Sequence, residues 1–347
     1  MGHLVRFSSP GTVDVVEVED PSPGPGQVLL ETAYSGISAG TELTAYRGTN
    51  PYLASEWDPA RKLFVPGSST MSYPIDAWGY EEVGRVAAVG STGDEDLVGK
   101  LVWGSWGHRS TVVRPAEYAR QRLLPGVEPM TGVFGRIGAI AFNAILDADI
   151  HLGESVVVFG AGVPGQIVAQ LARLNGARVT VVDPVPTRRA LAERLGADET
   201  LDPASDDVAA AVRAATDNRG ADVVIEMSGA YQALQEAVRT VGYNSRVVAG
   251  GFFQGPATAL KLGEEFHHNR VAIVCSQISG VASHLQHRWS DLRMSRTVLS
   301  LAHDGKLALD DLVTHVFPAK SASDAFDMLD KMPQDVLQVV LDYRETA

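Results

Sequence analysis

The sequence predicts an α/β protein of two domains, one all-β and one a doubly wound parallel sheet. Three observations carry this reading. The first third of the chain breaks into short apolar segments cut by Gly and Pro, strands and helices alternate from about Met130 onward, and one strand runs straight into a glycine-rich turn. At roughly 150 residues per domain, 347 residues suit two domains.

The β region comes first. Val13–Val18, Val28–Ala33, Gly84–Val89 and Lys100–Trp103 are apolar runs bounded by turn residues such as Pro21 to Gly26, the pattern of short strands. A long loop from Gly48 to Ser72, carrying Trp57, Pro59 and Pro66, interrupts them. Thr131–Ile150 is rich in Ala, Ile and Gly and reads as a helix. Strands follow at Ser155–Phe159, Arg178–Val182, Asp222–Glu226 and Arg246–Ala249, separated by helices at Val163–Leu174, Thr187–Leu195 and Tyr231–Thr240. That alternation implies right-handed crossovers and a parallel sheet. A helix at Ser290–His303, a strand at Val313–Phe317, a helix at Ala322–Lys331 and a strand-like Val336–Leu341 close the chain.

The glycine-rich turn is the most informative motif. Val156 to Phe159 lead into Gly160-Ala161-Gly162-Val163-Pro164-Gly165, a G-x-G-x-x-G at the start of a helix. In such a turn the first glycine permits the tight bend, the second admits a pyrophosphate to the backbone, and the third lets helix and strand pack closely. Asp183 ends the next strand, 18 residues beyond the third glycine, near the offset of the acid that holds the adenosine ribose hydroxyls. An acid there repels a 2′-phosphate, so NAD(H) is expected over NADP(H), with Arg188 and Arg189 nearby as a complication.

Composition narrows the partners. A net charge of −13 disfavours nucleic acid and anionic membranes, and a small-molecule substrate is expected instead. The apolar stretches are strand-sized or interrupted, short of the roughly 20 residues that cross a bilayer. No charged-then-apolar leader occupies Met1–Pro10, so a cytoplasmic location is expected. The single cysteine, Cys275, forbids an intramolecular disulfide and any Cys-rich zinc site, and reads as a small buried residue.

With these motifs in place the whole chain resembles the medium-chain dehydrogenase/reductase superfamily, whose best-known members are the zinc alcohol dehydrogenases. Gly24 to Leu29 looks like the family's opening strand, Ser35-Gly36-Ile37-Ser38 like its first ligand loop, and Trp78 to Gly84 like its Gly-His-Glu segment. Asp222 to Gly229 and Val247 to Gly251 resemble the strands that flank the nicotinamide, which adds Ser228, Gly250, Gly251 and Phe252 to the cofactor residues already given, Gly160 to Gly165, Asp183 and Arg188. The resemblance implies a GroES-like β domain over 1–136 and 277–347, a Rossmann domain over 137–276, and a homodimer formed near Phe266–Gly280.

The family's metal ligands are missing from this pattern. Its first Cys is Ser38 here, its His is Tyr80, its second Cys falls near Gly135 or Arg136, and only Glu81 remains. No zinc is expected. His267, His268, His284 and His287 are alternatives by residue type but lie in the wrong places for a shared site. Hydride transfer to a carbonyl still needs a donor for the developing oxyanion, and Tyr80 occupies the vacated position. The resemblance places Thr41 near the family's Ser/Thr of the proton relay, with Ser38 as a further candidate, although the Ser38–Glu42 loop is one residue longer than usual. Glu81 either orients the site or pairs with Arg136, and His108 is a candidate cleft residue.

Two functions follow. The first is a zinc-independent NAD(H)-linked oxidoreductase interconverting a secondary alcohol and a ketone on a small cyclic or polyhydroxylated molecule, similar to the branch that includes the bacteriochlorophyllide dehydrogenases. The alternative is an NAD(P)H-dependent reductase of an activated C=C bond, of the enone or quinone reductase type.

Overall fold

A computed structural model describes residues 1–344. It divides into two compact units, Met1–Arg136 together with the chain from Leu309, and Ile137–Ala308. The first division falls within the apolar run that starts as a short 3₁₀ segment, Pro129–Val133, and continues as the helix Phe134–Ala148. The second falls 32 positions beyond the one expected from sequence, because Gln277–Ala308 belongs with the Rossmann unit. Packing gives the reason: the helix Asp291–His303 sets Val298 against Gly138 so closely that a Cβ there would lie 2.5 Å from Cγ1 of Val298.

In the first unit, Gln27–Ile37 is the central strand. It pairs antiparallel with Glu81–Val89 on one side, with Gly36 opposite Glu81, and with Gln338–Asp342 on the other, with Leu341 opposite Ser35. Thr111–Pro115 pairs with its first half, while Val313–Pro318 and Leu101–Gly104 complete a six-stranded sheet. A second sheet orders Thr12–Val18, Gly2–Ser9 and Ile75–Asp76. Phe7 and Phe326 meet edge to face at 4.9 Å in the core between Ile37, Tyr46 and Leu341. Ser38–Glu42, which the resemblance gives as a loop, instead opens a helix, Ala39–Arg47, ended by Gly48 at φ 73°. The long Gly48–Ser72 loop contains its own two-stranded hairpin, Ser55–Asp58 against Leu63–Pro66.

The second unit carries six parallel strands in the order Glu199–Leu201, Arg178–Val182, Ser155–Phe159, Ala221–Glu226, Val241–Ala249 and Ala272–Cys275. Both faces of the central strands are covered, so they read as unbroken Val and Ile runs, with Val157, Val158, Val224 and Ile225 fully buried. Sequence reading missed the first and last of these strands and the helix Val208–Ala215. Cys275 ends the edge strand and is exposed, not buried, because the edge leaves one of its sides without a sheet neighbour. Pro129–Ala148 spans 20 residues at hydropathy 1.3, an apolar length overlooked in the sequence. About two-thirds of it is buried inside the fold, as in a core helix of a soluble protein.

Candidate active site

The cofactor cradle is built by the turn after Ser155–Phe159. Gly160 has φ +89°, and a Cβ there would lie 2.8 Å from the amide nitrogen of Ser228. Gly165, in the first turn of the helix Val163–Leu174, packs so tightly that a Cβ would reach 1.7 Å from the carbonyl oxygen of Gly160. Ala161, Gly162, Val163 and Pro164 complete the turn, leaving helix N-terminal amides at the place where a pyrophosphate binds in this motif.

Asp183 is buried at the end of Arg178–Val182. Its Oδ2 accepts the N–H of Ala161 at 2.7 Å and its Oδ1 accepts the N–H of Val185 at 2.8 Å. The carboxylate is therefore fixed against the glycine turn, with lone pairs left for two ribose hydroxyls. Arg189 is drawn away, donating to the Asp183 carbonyl and pairing with Asp202 at 3.1 Å. Arg188 lies in the first turn of the helix Pro186–Arg194.

A residue that sequence reasoning missed ties the far side together. Glu226 is fully buried; its carboxylate accepts the N–H groups of Ser228 at 2.7 Å and Gly229 at 3.1 Å, and the hydroxyl of Ser228. Its carbonyl accepts from Gly250 and Gly251 at 2.9 and 3.0 Å, and the Phe252 backbone closes over Gly229. Burial raises the Glu226 pKa against these donors. The signal was available: an acid closing an apolar strand, Asp222 to Glu226, has to be paid for by nearby donors.

The first unit assembles the other predicted residues. The Tyr80 and Ser38 hydroxyls share a short hydrogen bond, and Thr41 Oγ1 lies 3.4 Å from the phenol oxygen. Burial and the neighbouring Glu81 raise the Tyr80 pKa, only partly offset by the two hydroxyls, so the phenol is neutral. Glu81 is buried, with no hydrogen bond to either carboxyl oxygen among the described residues. Burial, Glu42 and Glu82 push its pKa well up, against the pull of the nearby Gln338 amide and Ser38 hydroxyl.

His108 does not line an open surface. It is fully buried, with Nε2 at 2.5 Å from Glu42 Oε2 and Nδ1 at 2.6 Å from Ser35 Oγ. Burial alone drives its proton off, but Glu42 and Glu82 outweigh that and raise its pKa. Glu82, equally buried, is pushed up to about 7 by burial, against the pull of His108 and the Trp106 amide. Neither glutamate was recognisable in sequence as a partner of His108, which lies 66 residues from Glu42.

Part of the second unit matches a family model: residues 164–296 fit "Zinc-binding dehydrogenase". Over those residues the chain is similar to zinc-binding dehydrogenases. Among curated relatives of the chain, D-guloside 3-dehydrogenase of Escherichia coli (strain K12) is 29% identical over 340 residues, covering 96% of this chain and 97% of the relative. The 2-desacetyl-2-hydroxyethyl bacteriochlorophyllide A dehydrogenase of Rhodobacter capsulatus is 27% identical, covering 99% and 98%. The crystal structure of 2R,3R-butanediol dehydrogenase from Bacillus subtilis superposes with a TM-score of 0.78 at 21% identity, covering 99% of each chain, and shows the same GroES-like and Rossmann fold. These likenesses, over nearly the whole chain, are to dehydrogenases.

The chain's donor set does not fit the family metal. At the ligand positions stand a serine hydroxyl and a phenol bonded to each other, and one buried carboxyl. Gly135, near the second thiolate position, has its α-carbon against Trp103, where even a Cβ would lie 2.7 Å from the indole. Zinc sites are built from thiolates, imidazoles and ionised carboxylates. His267 and His268 are exposed, with their rings at 80° to each other, and His268 Nδ1 is 3.0 Å from the Glu264 carbonyl.

Proposed function

We propose that this dehydrogenase interconverts a secondary hydroxyl and a ketone on a small cyclic or polyhydroxylated molecule, using NAD(H) and no zinc. The observation that carries it is the neutral Tyr80 phenol, hydrogen-bonded to Ser38 and next to Thr41, at the position from which relatives present a metal ligand. The relatives' names point to sugar-derived and hydroxyalkyl substrates: a D-guloside 3-dehydrogenase, a 2-dehydro-3-deoxy-L-galactonate 5-dehydrogenase and a bacteriochlorophyllide dehydrogenase.

NAD(H), held by Gly160 to Gly165 and Asp183, supplies the hydride when bound. In the reducing direction the substrate carbonyl carbon gains that hydride while its oxygen becomes anionic. Tyr80 donates its proton to that oxygen, and the Ser38 and Thr41 hydroxyls pass a replacement toward the phenol. Glu226 orients the loops at Ser228 and at Gly250 to Phe252 beside the cofactor. Asp183 supports NAD(H) over NADP(H), since its fixed carboxylate meets the ribose hydroxyls. The edge strand Ala272–Cys275 supports a homodimer by sheet pairing, and the acidic chain a cytoplasmic protein with a small-molecule substrate.

The test is turnover of methyl D-guloside with NAD⁺, alongside an α,β-unsaturated ketone with NADH, in the wild type and in Tyr80→Phe. The expected result is oxidation of the glycoside, a loss of about a hundredfold or more in kcat on removing the phenol hydroxyl, and unchanged NADH binding. Reduction of the C=C bond with no alcohol oxidation moves the protein to the alternative class, and unchanged turnover in Tyr80→Phe removes the phenol from the chemistry.

A further inference from the structure

Behind Tyr80 lies more buried polar machinery than a proton donor needs. Glu42, His108, Ser35 and Glu82 are all fully buried. Taking a charged pair out of water costs several kcal/mol per ion, so such a pair is weak evidence for stability, and its retention asks for another role.

Geometry supplies that role. Ser38 occupies the N-cap of the helix Ala39–Arg47, yet its hydroxyl caps no backbone amide, since it is bonded to Tyr80. The Ser38 N–H is taken by Glu42 Oε1 at 2.8 Å, one turn into the helix, while Oε2 of the same carboxylate holds His108. The imidazole also reaches the strand that carries Tyr80. A Cβ on Gly79 would lie 2.9 Å from both Cε1 and Nε2 of its ring, and Ser105 Oγ, three residues before His108, donates to the Tyr80 carbonyl at 2.9 Å. On its far side Nδ1 meets Ser35, which donates to Glu82 Oε1 at 3.2 Å, and Glu82 Oε2 takes the Trp106 N–H at 2.6 Å. One ring therefore touches both segments whose side chains meet at the Ser38 and Tyr80 hydroxyls.

We infer that His108, acting through Glu42 and against Gly79, is a positioning residue that fixes the Ser38–Tyr80 hydrogen bond. Its importance for turnover rests on the reading of Tyr80 as the donor, while the coupling itself is a property of the folded chain. Without the imidazole, Glu42 is a buried carboxylate lacking its charged partner, and the turn that carries Ser38 loses its anchor.

The coupling is tested in the ligand-free protein by labelling tyrosines with ¹³C at Cζ and assigning Tyr80 from its loss in Tyr80→Phe. The expected result is a displaced or broadened Tyr80 resonance in both His108→Gln and Glu42→Gln, with the other tyrosines distant from the cluster unmoved, a cooperative melt and wild-type NADH binding. A Tyr80 resonance unmoved in folded His108→Gln and Glu42→Gln overturns the inference. Should those variants not fold, Ser35→Ala keeps the ion pair and loosens only Nδ1; a smaller displacement of Tyr80 supports the inference, and none overturns it. Kinetics with methyl D-guloside and NAD⁺ separate the two levels. A ten- to hundredfold fall in kcat with KM for NAD⁺ unchanged is the size expected of a misplaced donor. A moved resonance together with full turnover in Tyr80→Phe upholds the positioning and overturns the donor reading instead.

Discussion

The ring of His108 occupies the space that a side chain on Gly79 would need. Gly79 sits at φ +131°, and an added Cβ would come within 2.9 Å of two ring atoms. Gly93 has a comparable φ of +104° with nothing within 4 Å of its Cβ position. Gly79→Ala should therefore lose more stability than Gly93→Ala, whose cost is the backbone conformation alone, about 1–3 kcal/mol. Thermal melts of the two variants measure the difference, and equal melts remove the steric role of His108.

Stability should fall as pH rises through neutrality. Glu82 holds its proton to about 7 in the fold, against 4.5 for an ordinary glutamate, so between those values the folded state binds more protons than the unfolded. His108, with a raised pKa, gives up its proton later folded than unfolded and adds to the same slope above its ordinary 6.5. The melting temperature should be higher near pH 5.5 than near pH 8, and Glu82→Gln should flatten that fall. Calorimetry at fixed ionic strength checks it, and a melting temperature that rises over this range contradicts the assignment.

Cofactor preference hangs on Asp183. With both oxygens pinned to the Ala161 and Val185 amides, the carboxylate has no freedom to swing away from a 2′-phosphate. NADH is expected to bind at least about tenfold more tightly than NADPH, a difference of about 1.4 kcal/mol, and Asp183→Ser should erase most of the gap. Fluorescence titration of both nucleotides reads it directly.

Metal content gives the fourth test. Protein produced with zinc supplied should elute with well under one zinc per chain, and chelators should leave turnover unchanged. Stoichiometric zinc by elemental analysis would require Ser38, Tyr80 and Glu81 to rearrange out of the hydrogen bonds and burial they show.

The parts of this molecule encoded locally were the legible ones. Gly160 to Gly165 and Asp183 share one strand-turn-helix-strand, and the missing thiolates at Ser38 and near Gly135 were visible by residue type alone. What escaped depends on contacts between residues distant in the chain. His108 read as a cleft residue because its partners Glu42 and Ser35 are 66 and 73 positions away. Glu226 was passed over because its donors become apparent only when two loops converge on it. The helix after Ser38 was hidden by Gly40, whose weak propensity is overridden by the Glu42 anchor on the Ser38 amide. Cys275 looked buried because residue type was the only guide to its surroundings.

The strand Gln338–Asp342 lies between the edge strand Val313–Pro318 and the central strand Gln27–Ile37. As the chain is synthesised, the parallel sheet of the second unit has all its strands once Cys275 has emerged. The sheet that holds Ser35, Gly36 and Glu81 stays open beside Tyr34–Ile37 of its central strand until residues near 340 arrive. Tyr80 and Ser38 are thus translated early, yet the layer that supports them is completed late.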